Sequence, residues 1–187
     1  MGKSADSRLA RIPAIVDAQR AFALEGAAKA VAFRQEQLRR LDAVLRANER
    51  RLAEALHADV LKSGFETYLT ELGLVYHEIA EAIRRVTGWS RPRRVRTGLA
   101  NWPATSRIVP EPYGTALVIG ACNYPYQLTL APLVGAMAAG NTCIVKPSEL
   151  PAHSSAALAE VLNDAFEPEY LHVVEGGVPE TEALLAC

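Results

Sequence analysis

Two short apolar runs rich in β-branched residues, Thr115–Gly120 and Thr142–Val145, lie on either side of Tyr124–Ala139. Each run suits a strand buried on both faces, as in a parallel sheet. The segment between them is long enough for a crossover helix, with prolines only at Pro125 and Pro132. Strand, helix and strand in that span predict one right-handed βαβ unit. A helix is expected to open at Ser148 or Pro151 and run to about Phe166, followed by a third strand at Leu171–Val174. Glu175-Gly176-Gly177 then forms a turn, and Pro179 suits the first turn of a new helix, where the dipole favours Glu180 and Glu182. Ligands of such a sheet bind beyond the carboxyl ends of its strands. The loops there carry Cys122-Asn123 and Lys146-Pro147-Ser148-Glu149.

The preceding sequence is helical. Leu9, Ile12, Ile15, Val16 and Phe22 fall at helical spacing, and Gly26 is a stop. Helix continues from Ala30 to about Leu61 on a stripe of Phe33, Leu38, Leu41, Val44 and Leu45, with a break at Asn48 before Leu52, Leu56 and Val60. The clearest period runs from Phe65 to Val86 through Tyr68, Leu72, Val75, Tyr76, Ile79 and Ile83. Trp89–Pro110 changes character: prolines and glycine punctuate two strand-like stretches, Arg94–Leu99 and Ser106–Val109. The chain thus divides into a helical region (1–92), an extended segment (93–111) and a βαβαβ portion (112–187).

At 187 residues the chain can bury a real core, and its formal charge of −1 argues against nucleic acid or an anionic membrane as the main partner. The basic run Arg91–Arg96 reads as a solvated flank of a strand. Three cysteines, Cys122, Cys143 and Cys187, make no CxxC pair and no metal spacing, and an odd count suggests a reducing, cytoplasmic setting. The polar start, MGKSADSRLAR, lacks an apolar signal core, and Asp6 removes the serine that myristoylation would favour. Asn123, Gln127 and Asn141 interrupt the apolar 114–145 region, so it fails as a membrane span.

From the residues alone, Asn123 is either a cap for the following helix or an amide donor facing the crevice. Lys146 and Glu149 are either a surface ion pair or a donor and acceptor for ribose hydroxyls. Gly120 and Gly176-Gly177 are lone turn glycines without a GxGxxG, and Tyr113 and Pro147 suit packing. Cys122 and Cys143 read as small apolar residues, because neither has a base close in sequence. His57 and His77 have no partner at ligand spacing.

The segments ACNYPYQLTLAPLVGAMAAGN, CIVKPSE and GGVPET, in this order, resemble the nucleotide-binding front half of aldehyde dehydrogenases, most nearly the class 3 or fatty-aldehyde branch. The resemblance begins near residue 20 and runs to the end. It implies the first half of a doubly wound, Rossmann-like α/β domain preceded by a helical region, as a truncated amino-terminal portion of a longer subunit. It implies oxidation of an aldehyde to a carboxylic acid, with NAD or NADP as cofactor and a homodimer at full length, and it implies that the two strand-like stretches of 93–111 form a projecting hairpin of the subunit-bridging region. Asn123 matches the oxyanion donor. Lys146, Pro147, Ser148, Glu149 and Gly177 match cofactor-binding positions, and a carboxylate at Glu149 favours the free 2′-hydroxyl of NAD. The nucleophilic cysteine and the general-base glutamate lie further along the family's chain, so these residues alone are expected to be inactive. Cys122 departs from the aromatic residue usual in class 3. The alternative is a non-catalytic nucleotide-binding or interaction module.

Overall fold

Strand β4 (Thr142–Lys146) is buried at every residue and sits at the centre of a three-stranded parallel sheet ordered β3 (Thr115–Ile119), β4, β5 (Leu171–Val173). The computed structural model describes residues 2–187, with side chains from residue 8. Met1 and the side chains of 2–7, at the polar amino terminus, lie outside the described residues. Register runs from Thr115↔Thr142 to Ile119↔Lys146 on one side and from Cys143↔Leu171 to Val145↔Val173 on the other. Helix α6 (Gln127–Ala139) makes the first crossover, α7 (Ala152–Asn163) makes the second, and α8 (Val178–Ala186) follows β5. α7 is shorter at both ends than the expected helix. Only Val118 of β3 is buried, so the expectation that this strand is covered on both faces fails. It is an edge strand, paired with β4 alone.

The helical region comprises α1 (Gly2–Glu25), α2 (Val31–Ala47), α3 (Glu49–Val60), the single turn α4 (Gly64–Thr67) and α5 (Gly73–Trp89). Gly26 ends α1 in the left-handed region (φ 80°), and Asn48 separates α2 from α3. Leu38, Leu41, Leu45, Leu52, Leu56, Val75, Ile79 and Val86 join Leu130, Leu133, Met137, Val145, Leu158 and Leu171 in one apolar cluster. Helices α2, α3 and α5 therefore share a core with one face of the sheet, while Ile12 and Val16 of α1 and Leu184 of α8 pack with Ile144 and Val174 in a second, smaller cluster. Among the described residues, no helix is long and apolar enough to cross a membrane.

Two expectations need correction. Tyr68–Leu72 is a π-helical turn between α4 and α5. The Gly73 N–H bonds the Tyr68 carbonyl, and a Cβ at Gly73 would lie 2.7 Å from that oxygen. The wider turn rotates the stripe: Phe65 (75% exposed) and Tyr68 (47%) face out, whereas Thr67, Glu71 and Leu72 face in. The extended segment forms an exposed antiparallel hairpin of β1 (Arg93–Val95) and β2 (Ser106–Ile108). Its first strand stops at Val95, and Leu99–Asn101 is a 3₁₀ turn, because the Thr97 hydroxyl takes the Ser106 N–H in place of a ladder bond.

Asp59, on α3, clasps the start of α7. Its carboxylate accepts from His153 N (3.1 Å) and Nδ1 (2.9 Å) and from Ser154 N and Oγ (both 2.7 Å). Burial pushes its carboxyl up, but the Ser154 and His153 hydrogen bonds outweigh that and hold it below its ordinary value. A depressed carboxylate stabilises the fold above its unfolded value, and this contribution disappears as pH falls through the folded one. Asp59→Ala is expected to cost about 0.5–2 kcal/mol near neutral pH. In urea unfolding across a pH series, wild type and variant should converge in acid, below the ordinary carboxylate range.

Candidate active and cofactor site

The carboxyl ends of β3 and β4 meet at Gly120. Its N–H donates to the Lys146 carbonyl at 2.9 Å. A Cβ on Gly120 would lie 2.2 Å from Thr129 Oγ1 and 3.3 Å from Pro147 Cα. Only glycine lets α6 and the two loops approach this closely, so the Asn123 and Lys146–Glu149 loops leave the sheet side by side.

Asn123 lies in the turn between β3 and α6 and is exposed. It does not cap the helix: Tyr126 occupies the N-cap position without a side-chain cap. Instead, Glu71 from the π turn accepts from Tyr126 N at 2.8 Å and from Gln127 N at 3.4 Å. The Asn123 carbonyl accepts from Lys62 Nζ at 3.4 Å. Sequence reasoning missed Lys62 and Glu71. Their one signal is a carboxylate beside Leu72 inside the clearest helical period of the chain.

Lys146 is the last residue of β4 and 3% exposed, and its Nζ donates to Glu149 Oε2 at 2.8 Å. That bond holds the Glu149 carboxyl below its ordinary value, although the side chain is half exposed. Ser148 accepts the Leu150 N–H through Oγ (3.3 Å) and the Ser155 hydroxyl through its carbonyl (2.6 Å). Pro147, Ser148 and Glu149 line a cleft of about 140 Å³ with Arg8, Ser155, Glu175 and Gly176. Gly177 stands just beyond as the N-cap of α8, its N–H donating to Glu180 Oε2 at 2.8 Å. The chain thus presents an ammonium, a carboxylate and hydroxyls at one sheet edge, a set suited to a vicinal diol. A larger hollow of about 590 Å³ lies at the other end of β3, lined by Val16, Arg20, Tyr113, Leu117, Ile144 and Cys187, and includes none of these residues.

Of the thiols, Cys143 is buried in β4, and burial pushes it up to about 12. Cys122 is exposed, so its reading as a small apolar packing residue is corrected. The turn between β3 and α6 leaves the sheet at Gly120, and residues 121–124 face solvent before Pro125 and Tyr126 return to the core.

A family model described as "Aldehyde dehydrogenase family" matches residues 2–187. The 4,4'-diaponeurosporen-aldehyde dehydrogenase of Staphylococcus aureus is 41% identical over 157 residues, which cover 84% of this chain and 34% of that protein. Aldehyde dehydrogenase family 3 member B1 of Bos taurus is 39% identical over 162 residues, 87% of this chain and 35% of that one. The substrate-bound structure of Staphylococcus aureus AldH superposes with a TM-score of 0.91 at 38% identity, over 94% of this chain and 38% of that one. The chain spans about a third of the length of these relatives.

Gly120→Ala is expected to destabilise the fold by about 1–3 kcal/mol, because the new methyl group meets Thr129 Oγ1. Thr129→Ala in the same chain should recover part of that loss, and a double-mutant cycle by urea unfolding checks the coupling.

Proposed function

The chain belongs to the aldehyde dehydrogenase family, and from that premise we propose that it is the cofactor-side portion of an NAD(P)-dependent enzyme oxidising an aldehyde to a carboxylic acid. One observation carries the reading. The Lys146–Glu149 pair and the Asn123 turn leave adjacent strands at one sheet edge, pinned together by the Gly120–Lys146 hydrogen bond.

Lys146 and Glu149 hold a ribose diol, the ammonium donating and the carboxylate accepting; Pro147, Ser148 and Gly177 shape the surrounding rim. A carboxylate accepts well from a free 2′-hydroxyl and repels a 2′-phosphate, so NAD is favoured over NADP. The dinucleotide supplies the hydride acceptor. Asn123 offers an amide N–H to the oxygen of the aldehyde carbonyl as negative charge develops there. The thiol nucleophile and the carboxylate base belong to family segments beyond the matched portion. The exposed β1–β2 hairpin fits a bridging arm of a homodimer, and three unpaired cysteines fit a cytoplasmic setting.

Glu149→Ala is expected to weaken NAD binding about ten-fold or more, as loss of a charge-assisted hydrogen bond predicts, by calorimetric titration of residues 1–187. An unchanged affinity removes the ribose assignment. Turnover is the second test. Residues 1–187 alone should form no NADH from aliphatic or aromatic aldehydes, because Cys143 is buried and Cys122 has no base close in sequence. Joining them to the remaining length of the Staphylococcus aureus relative should give activity. There, Asn123→Ala should lower kcat about 10²–10³-fold. Activity in residues 1–187 that vanishes with Cys122→Ser would instead make Cys122 the nucleophile.

A further inference from the structure

Glu71 is a fully buried carboxylate whose side-chain hydrogen bonds all go to the start of α6 or to Lys62. Its Oε1 accepts from Lys62 Nζ at 2.6 Å, while Oε2 takes the Tyr126 and Gln127 N–H groups. Lys62 is itself only 13% exposed. Besides Glu71, its ammonium reaches the Asn123 carbonyl at 3.4 Å and lies 4.0 Å from the centre of the Tyr124 ring. Four of the five residues from Asn123 to Gln127 are therefore held by one ion pair. The backbone is shaped to deliver both partners. Leu61 adopts a left-handed conformation (φ 60°), unusual for a branched residue, immediately before Lys62. The π turn at Tyr68–Leu72 rotates Glu71 into the interior.

A helix cap alone does not require this arrangement. A serine or aspartate on the turn itself would satisfy the α6 N–H groups, as Ser63 does for α4 by accepting from Glu66 N. Using a carboxylate from another element leaves the Asn123 side chain out of the capping scheme. An unpaired carboxylate here would oppose negative charge developing at Asn123; the Lys62 ammonium cancels it. A preorganised donor stabilises a developing oxyanion far more than one that must be ordered during the reaction.

We infer that Lys62 and Glu71 are positioning residues that fix the Asn123–Gln127 turn so that the Asn123 amide is presented to the substrate oxygen. The inference rests on the oxyanion reading of Asn123 above. Its first test needs no turnover: hydrogen exchange by mass spectrometry on residues 1–187 at low micromolar concentration. Lys62→Met and Glu71→Gln should each speed exchange of peptides spanning 121–127 about ten-fold, as loss of a charge-assisted bond predicts. Peptides from α7 and β5 should keep wild-type rates, and Lys62→Arg should restore the turn. Unchanged exchange at 121–127, equal acceleration throughout the chain, or no rescue by arginine overturns the inference. If Glu71→Gln does not fold, Lys62→Met decides, since that side chain lies at the rim.

The second test uses the joined enzyme. Lys62→Met should lower kcat about ten-fold or more and leave the KM for NAD unchanged. If Asn123→Ala lowers kcat there and Lys62→Met does not, the positioning role fails. If Asn123→Ala has no effect, the oxyanion reading falls instead, and the exchange data still decide whether the ion pair holds the turn.

Discussion

A strand covered on both faces can place polar groups only at its ends, and β4 shows the consequence. All five of its residues are buried, and its one charge, Lys146, is the last of them. At the other end, Asn141 accepts the Gly114 N–H and donates to the Ala136 carbonyl, tying α6 to the start of β3. Gln19 of α1 donates to the β4 carbonyl of Cys143. The ammonium of Lys146 has no route to water along the strand, so it turns out at the carboxyl edge and meets Glu149 there. Burial of the strand thus decides where charge can be presented.

Helix starts around that edge are managed by carboxylates. Glu71 serves α6, Asp59 serves α7, and Glu180 reaches back to the Gly177 N–H at the start of α8. Two of the three come from the helical region rather than from the sheet's own connections. Each places negative charge where unsatisfied N–H groups and the dipole favour it. The helical region is therefore joined to the sheet through polar clasps at the functional edge as well as through the shared apolar core. Arg34 does the converse work at the far end of α6, donating to the Ala138, Ala28 and Lys29 carbonyls. There Gly140 turns left-handed (φ 93°), and a Cβ would lie 2.7 Å from Arg34 Nε.

The βαβ order was legible because burial demands continuous apolar runs, and Thr115–Ile119 and Thr142–Lys146 emerged within a residue of their expected limits. The end of α1 at Gly26 and the break at Asn48 were legible from left-handed glycine and interrupted stripes, whereas α1 begins at Gly2, ahead of the apolar stripe that starts at Leu9. The π turn was not, since one extra residue in a helical turn leaves a pattern that still counts in threes and fours. Phe65 and Tyr68 were misplaced for that reason. Asp59 and Glu71 were invisible as caps, because the N–H groups that they satisfy lie far along the chain and local sequence carries no record of the pairing. The polar residues at the strand ends were legible as a set, because a parallel sheet has one edge for ligands.

The Glu71 clasp also bears on why a glycine-rich phosphate fingerprint is missing. In a doubly wound sheet, the helix after the first strand ordinarily offers its free N–H groups to a pyrophosphate. Here the N–H groups of Tyr126 and Gln127 are already committed to a buried carboxylate, itself paired with Lys62. An anion at that helix start would have to displace Glu71 into an apolar interior, and a charge left without partners there is costly. Glu71 thus occupies the N–H groups at the start of α6 that a phosphate would need. Under the proposed function, the dinucleotide must be gripped from the neighbouring strand, where the Lys146–Glu149 pair stands at the carboxyl end of β4. On that reading, carbonyl and cofactor would fall to adjacent loops, with the buried Lys62–Glu71 pair holding the first of them.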